Sequence, residues 1–149
     1  MSASRRLVLR GALGAGALVA LRPAAGQERP TLAAAIRAFT GGAEPRSGRV
    51  VLDVATLIDN GNAVPVAVAV DSPMTAADHV RRIALFNERN PQPDVAVFTL
   101  GPRAGRASVS TRIRLATSQR LVAIAETSDG AYWQHAVDVI VVLAACIEM

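Results

Sequence analysis

The chain has one cysteine, two histidines and few aromatic residues (three Phe, one Tyr and one Trp). The lone cysteine excludes an internal disulfide, so no covalent staple holds the fold. No spacing of cysteine, histidine and carboxylate matches a structural or catalytic metal site, and no metal is expected. A Gly-rich phosphate loop between a strand and a helix is missing, and so is a serine in a nucleophile elbow. These absences speak against an enzyme with its own catalytic constellation and imply no cofactor. His79 and His135 read as solvated surface residues.

Charge narrows the field further. The formal net charge is +4, which by itself invites nucleic acid. Residues 1–26, however, hold Arg5, Arg6, Arg10 and Arg22 and no acid. Taking those four from the 16 basic residues leaves 12, against 12 acidic ones, so the rest of the chain is neutral. A neutral body with few aromatics offers little for phosphate steering or base stacking. No nucleic-acid partner is expected. Apolar residues make up 51% of the chain and charged ones 19%, ample material for a folded core.

The first 26 residues have the anatomy of a cleaved export signal. Arg5 and Arg6 open a basic region, Gly11 to Leu21 is apolar, and Pro23-Ala24-Ala25-Gly26 supplies small residues for a peptidase. The apolar run is about half the ~20 residues needed to span a bilayer, so no membrane anchor remains after processing. Paired arginines before a weakly hydrophobic, Gly-rich stretch resemble the twin-arginine export signal, against the alternative of an ordinary secretory signal. The expected compartment is a bacterial periplasm, with the mature domain spanning residues 27–149.

That domain reads as all-β, an immunoglobulin-like sandwich of about seven strands with a short N-terminal helix. Thr31 caps a helix over Leu32 to Thr40, stopped by Gly41-Gly42. Period-two runs then predict strands over 50–54, 64–70, 80–86, 95–100, 107–115, 121–127 and 137–143. Asp59-Asn60-Gly61-Asn62, Gly101 to Gly105 and Ser128-Asp129-Gly130 supply turns. Pro65 must stand at a strand start or on an edge. Thr75 to Asp78 can cap one helical turn. Arg112 and Arg114 share a strand face, with Arg81 or Arg82 placed to lie nearby. They either receive an anion or an acidic partner, or form a solvated face.

Cys146 lies just past the last predicted strand. Two readings stay open for it. It either continues that strand as a small buried hydrophobe, or it is a reactive thiol on a tether.

Several stretches, in order, resemble the SoxY family of sulfur carriers in bacterial thiosulfate oxidation. They are Asp59-Asn60-Gly61-Asn62-Ala63-Val64-Pro65-Val66, Asp71-Ser72-Pro73-Met74-Thr75-Ala76-Ala77-Asp78 and Asn90-Pro91-Gln92-Pro93-Asp94-Val95. Leu100-Gly101-Pro102-Arg103-Ala104-Gly105-Arg106-Ala107, Ser110-Thr111-Arg112-Ile113-Arg114-Leu115-Ala116 and Ser128-Asp129-Gly130 continue the likeness. The resemblance implies a carrier rather than an enzyme, holding thiosulfate-derived sulfur covalently on Cys146. It implies a heterodimer with a SoxZ-like subunit. The haem c enzyme SoxXA would load the cysteine, and the hydrolase SoxB and the dehydrogenase SoxCD would work on the bound intermediate.

The family's carrier arm typically ends Gly-Gly-Cys-Gly-Gly, whereas this chain ends Ala144-Ala145-Cys146-Ile147-Glu148-Met149. Alanines restrict the backbone more than glycines. Ile147 and Met149 add bulk, and Glu148 adds negative charge that disfavours a thiolate. The alternative reading is therefore a SoxY-like interaction module without carriage, attached to another periplasmic oxidation system such as a quinoprotein dehydrogenase.

Overall fold

The computed structural model describes residues 28–145. The segment expected to be an export signal, with Arg5 and Arg6, and Cys146 itself lie outside the described residues.

The helix α1 (Leu32–Thr40) has the predicted bounds. The Thr31 hydroxyl accepts the Ala34 amide at 3.1 Å, and Gly41 ends the helix in the left-handed region at φ 63°. Leu32, Ala35, Ile36 and Phe39 give it one apolar face, which packs on Ala84, Phe86, Val122 and Ile124. Phe39 meets Phe86 and Tyr132 edge-on, with centroids 5.8 and 6.0 Å apart. Such pairs add to the area they bury.

Nine strands follow, rather than about seven: β1 (Arg46–Ser47), β2 (Val50–Asp53), β3 (Leu57–Asn60), β4 (Val64–Val70), β5 (Val80–Asn87), β6 (Asp94–Thr99), β7 (Ser108–Ile113), β8 (Gln119–Thr127) and β9 (Tyr132–Leu143). One sheet runs β1-β9-β8-β5-β6, with β3 also paired to β9; the other runs β2-β4-β7. The two additional strands are β1 and β3, and both run parallel to β9. They are too short for a period to show, and their pairing exists only because β9 supplies an edge. Asp59 and Asn60, predicted as turn, are the end of β3, so the turn moves to Gly61-Asn62. The last strand starts at Tyr132, five residues before the expected Val137. Its first half carries Gln134 and His135, which hide the apolar period.

The main core lies between the sheets, where Val64, Val68, Ile83, Leu85 and Leu121 are almost wholly buried. Because α1 covers the second face of the large sheet, β5 and β8 are buried on both faces in their middles. Pro65 is the second residue of the central strand β4. Strand β2 already ends opposite Ala67, so at Pro65 only β7 is paired and the strand is locally an edge. Thr75 to Asp78 forms no helical turn. The Thr75 hydroxyl accepts the Asp78 amide at 3.0 Å while the Thr75 amide donates to the Asp78 carbonyl at 2.9 Å, closing an isolated turn before β5. Four residues are too few to repay helix nucleation. No helix among the described residues is long and apolar enough to cross a membrane.

Candidate functional site

The second half of β9 leads towards Cys146. Its pairing with β8 stops at Gln119–Val139. Beyond that point β3 takes one edge, with Leu57 opposite Ile140 and Asn60 opposite Leu143, and the Val141 amide donates to the Ser118 hydroxyl at 2.9 Å. The strand is thus held on both sides as far as Val141 and by β3 to its end.

Anchoring continues past the strand. The Gly61 amide donates to the Leu143 carbonyl at 2.8 Å, and the Leu115 amide donates to the Gly61 carbonyl at 2.8 Å. The Ala145 amide in turn donates to the Leu115 carbonyl at 3.1 Å. Ala145 is only 8% exposed, although it stands one residue before the cysteine. Three chain segments therefore converge at Gly61. A methyl group placed there would sit 2.4 Å from the Leu115 carbonyl oxygen and 3.1 Å from both the Ala145 nitrogen and Val141 Cγ1. Backbone stands where a side chain would go, so only glycine fits.

Leu115 is fixed from the other side by Asn90. Its Nδ2 donates to the Arg114 carbonyl at 2.7 Å, and its Oδ1 accepts from the Ala116 amide at 3.0 Å and from Gln119 Nε2 at 2.9 Å. The loop after β5 and the loop after β7 are stapled by this one side chain. Its own amide is received by Oδ1 of the buried Asn87 at 3.0 Å.

Around the end of β9 the surface is apolar. Leu57, Ile140, Val142 and Leu143 are each at least 60% exposed. An open groove adjoins the Gly61 turn, lined among others by Asn60, Pro65, Ala67, Ser110 and Arg112, with Asp53 at its far side. Earlier on β9, Arg120 makes a two-bonded fork on Asp138, at 2.8 and 3.0 Å. That fork holds the Asp138 carboxyl below its usual range.

The remaining candidates separate. Cys146 follows Ala145 directly in sequence and lies outside the described residues, as do Arg5 and Arg6. Arg112 and Arg82 do not share one receiving face. Arg112 is on β7 in the small sheet, whereas Arg82 is on β5 in the large one, ion-paired with Glu126 and 4.4 Å above the Phe39 ring. Alternation within single strands carried no information on which sheet each strand joins. His135 is exposed and His79 half-buried, and each ring also has a backbone contact: His135 Nδ1 accepts the Leu52 amide at 2.9 Å, and His79 Nδ1 lies 3.1 Å from the Thr75 carbonyl. Among the described residues no group of three or more His, Cys, Asp or Glu is placed to hold a metal ion. Gly61, Leu115 and Asn90 were not singled out from sequence. Each stands inside a quoted motif, but only the convergence of three loops shows what it does.

Fold and site together define a small two-sheet β-sandwich of immunoglobulin-like type whose last strand ends beside a tightly closed turn at Gly61. The chain belongs to the SoxY family: the family model, described as sulfur oxidation protein SoxY, matches residues 36–146. The match thus runs to Cys146. Among solved structures, the sulfur carrier protein SoxY from Chlorobium limicola f thiosulfatophilum is similar at 28% identity and TM-score 0.60, over 71% of this chain and 87% of that one. A superoxide reductase (neelaredoxin) from Ignicoccus hospitalis is similar at 19% identity and TM-score 0.57, over 63% of this chain and 80% of that one. At that identity the second likeness shows the fold alone. No curated protein sequence matches the chain.

Proposed function

We propose that this protein is a periplasmic sulfur carrier that holds thiosulfate-derived sulfur covalently on Cys146. The observation that carries the reading is the family match, which covers all nine strands and ends on that cysteine. The likeness to a SoxY sulfur carrier supports it. So does the backbone that leads to it, held as far as Ala145 by the bond from its amide to the Leu115 carbonyl.

Loading joins the cysteine sulfur to the terminal sulfur of thiosulfate. The thiol gives up its proton, one S–S bond forms, and two electrons leave to an oxidising haem c partner of the SoxXA kind. A SoxB-type hydrolase and a SoxCD-type dehydrogenase then work on the bound intermediate. The protein itself acts as a platform and not as an enzyme. It pairs with a SoxZ-like subunit, and the exposed Leu57, Ile140, Val142 and Leu143 supply apolar surface that a partner would cover. Export by the twin-arginine route, through Arg5 and Arg6, suits a pair that folds before it crosses the membrane.

The test is intact mass spectrometry after exposure of the mature protein to thiosulfate and the oxidising partner. A sulfur adduct should form on the wild type and be absent from Cys146→Ser, with the thermal transition unchanged. An adduct that persists in Cys146→Ser, or none in either protein, overturns carriage and leaves the interaction-module reading.

A further inference from the structure

We infer that the outer edge of β7 receives an extended acidic segment of a partner protein by strand addition. Strand β7 pairs with β4 alone, so it closes one side of the small sheet. The ladder shows which of its backbone groups are free. The Val70 amide donates to the Ala107 carbonyl at 2.9 Å, and bonded pairs alternate with non-bonded ones along an antiparallel pair. Val109, Thr111 and Ile113 therefore bond to β4, while the amides and carbonyls of Ser108, Ser110 and Arg112 face outwards. Pro65 obeys the same parity: it stands opposite Arg112 at a non-bonded position, where its missing N–H costs no bond. Among the described residues nothing bonds to the outward amides and carbonyls of β7.

Charge decides what kind of chain fits. From residue 95 to residue 125 the sequence holds five arginines and no acid. Arg120 is forked to Asp138, but Arg103, Arg106, Arg112 and Arg114 are exposed and have no ion pair among the described residues. Arg103 and Arg106 precede the edge, Arg112 is on it, and Arg114 follows it. Charged side chains commonly guard an open edge against accidental pairing. Here they leave Ser108 to Thr111 unguarded, a run of small or β-branched side chains without bulge or proline. Pairing with a second copy centred on Ser110, the register that uses the whole edge, would bring Arg106 of each copy towards Arg114 of the other. Like charges set opposite each other oppose such a pair. An acidic segment has the reverse effect: its backbone completes the ladder, and a carboxylate opposite Arg112 balances the charge. Nucleic acid would meet the arginines without a ladder. Strand β2, at the far side of the small sheet, is the one tied to β9 through His135. The β7 edge is thus remote from the apolar surface at the end of β9, and its use needs neither Cys146 nor sulfur.

The probe is an acetylated, amidated peptide of about ten residues that alternates Glu and Val, long enough to span the edge at ~3.4 Å per residue. Titrated into the mature protein at low salt, it should bind saturably and slow the hydrogen exchange of the Ser108, Ser110 and Arg112 amides. A peptide with Gln in place of Glu should bind about tenfold more weakly, and Arg112→Glu should weaken the acidic peptide by a similar factor. N-methylation of the Glu residues removes the donors that face β7 and should weaken binding to the wild type by at least about tenfold. Ser110→Pro removes a donor that β4 does not use, with every arginine intact, and should weaken binding about fivefold. A single-stranded oligonucleotide of equal charge should bind more weakly than the peptide. Absence of saturable binding overturns the proposal. Equal binding of the N-methylated peptide or of the oligonucleotide also overturns it, since either result shows a basic patch and no docking edge. Wild-type affinity in a folded Ser110→Pro does the same, and if that variant fails to fold the N-methylated peptide decides the point.

Discussion

The Leu52 amide donates to Nδ1 of His135 at 2.9 Å, a side-chain bond that ties the free edge of β2 in the small sheet to β9 in the large one. Leu52 is buried and pairs with Val68 on its other side, so its amide has no strand to donate to. Replacing His135 by Ala leaves that donor without a partner and should cost about 1–3 kcal/mol. His135→Asn, which places a carbonyl oxygen close to the Nδ1 position, should recover part of the loss. Chemical denaturation of the three proteins checks both steps, and equal stability of all three would refute the role.

Asn90 ties two loops together with one donor and two acceptor bonds. Asn90→Ala should destabilise the fold by about 2–3 kcal/mol, since the Ala116 amide loses its acceptor and Gln119 Nε2 keeps only the Thr117 carbonyl. Asn90→Asp keeps the acceptor and loses only the bond to the Arg114 carbonyl, so a smaller loss is expected. Hydrogen exchange adds a local readout: the Ala145 amide should open faster in Asn90→Ala, because Leu115 is then free to shift.

The turn between β8 and β9 titrates. The Asp129 carboxylate accepts from the buried Thr127 hydroxyl and from the Ala131 amide at 3.1 Å, and these bonds hold its carboxyl below the usual range. A carboxyl that is more acidic in the folded state than in the unfolded one adds stability above the ordinary carboxylate range and loses it as pH falls. Wild type should therefore melt above Asp129→Asn at neutral pH, and the gap should close on acidification below about pH 4. A gap that stays constant with pH would assign the effect to shape and not to charge.

Much of the fold was legible from local chemistry. Helix α1 was bounded by its cap at Thr31 and its stop at Gly41, both single-residue signals that act within one turn. Strand β4 was legible because four valines alternate with small residues over its whole length. The ends of β9 were less so, since Gln134 and His135 interrupt the apolar period at its start. The short parallel strands β1 and β3 have no signature of their own, because two to four residues carry no period.

At the site, the cysteine was visible by being single, and its place beyond the last strand followed from the apolar run that ends at Leu143. Gly61 was visible only as a turn residue. A turn glycine is ordinarily explained by a positive φ, and here the reason is the clearance between three loops that are distant in sequence.

Local sequence carries the class of the molecule: an all-β domain, a single cysteine that excludes an internal disulfide, and the family to which the chain belongs. Those properties depend on composition, on neighbours within a few residues and on the order of motifs. Tertiary structure decided how the cysteine's strand is anchored, which arginines stand apart, and that β5 and β8 are buried on both faces. Anchoring of that kind comes from backbone groups of Gly61, Leu115 and Ala145 meeting across more than 80 positions of chain. Backbone amides and carbonyls are the same in every residue but proline, so no side-chain pattern records where they will meet.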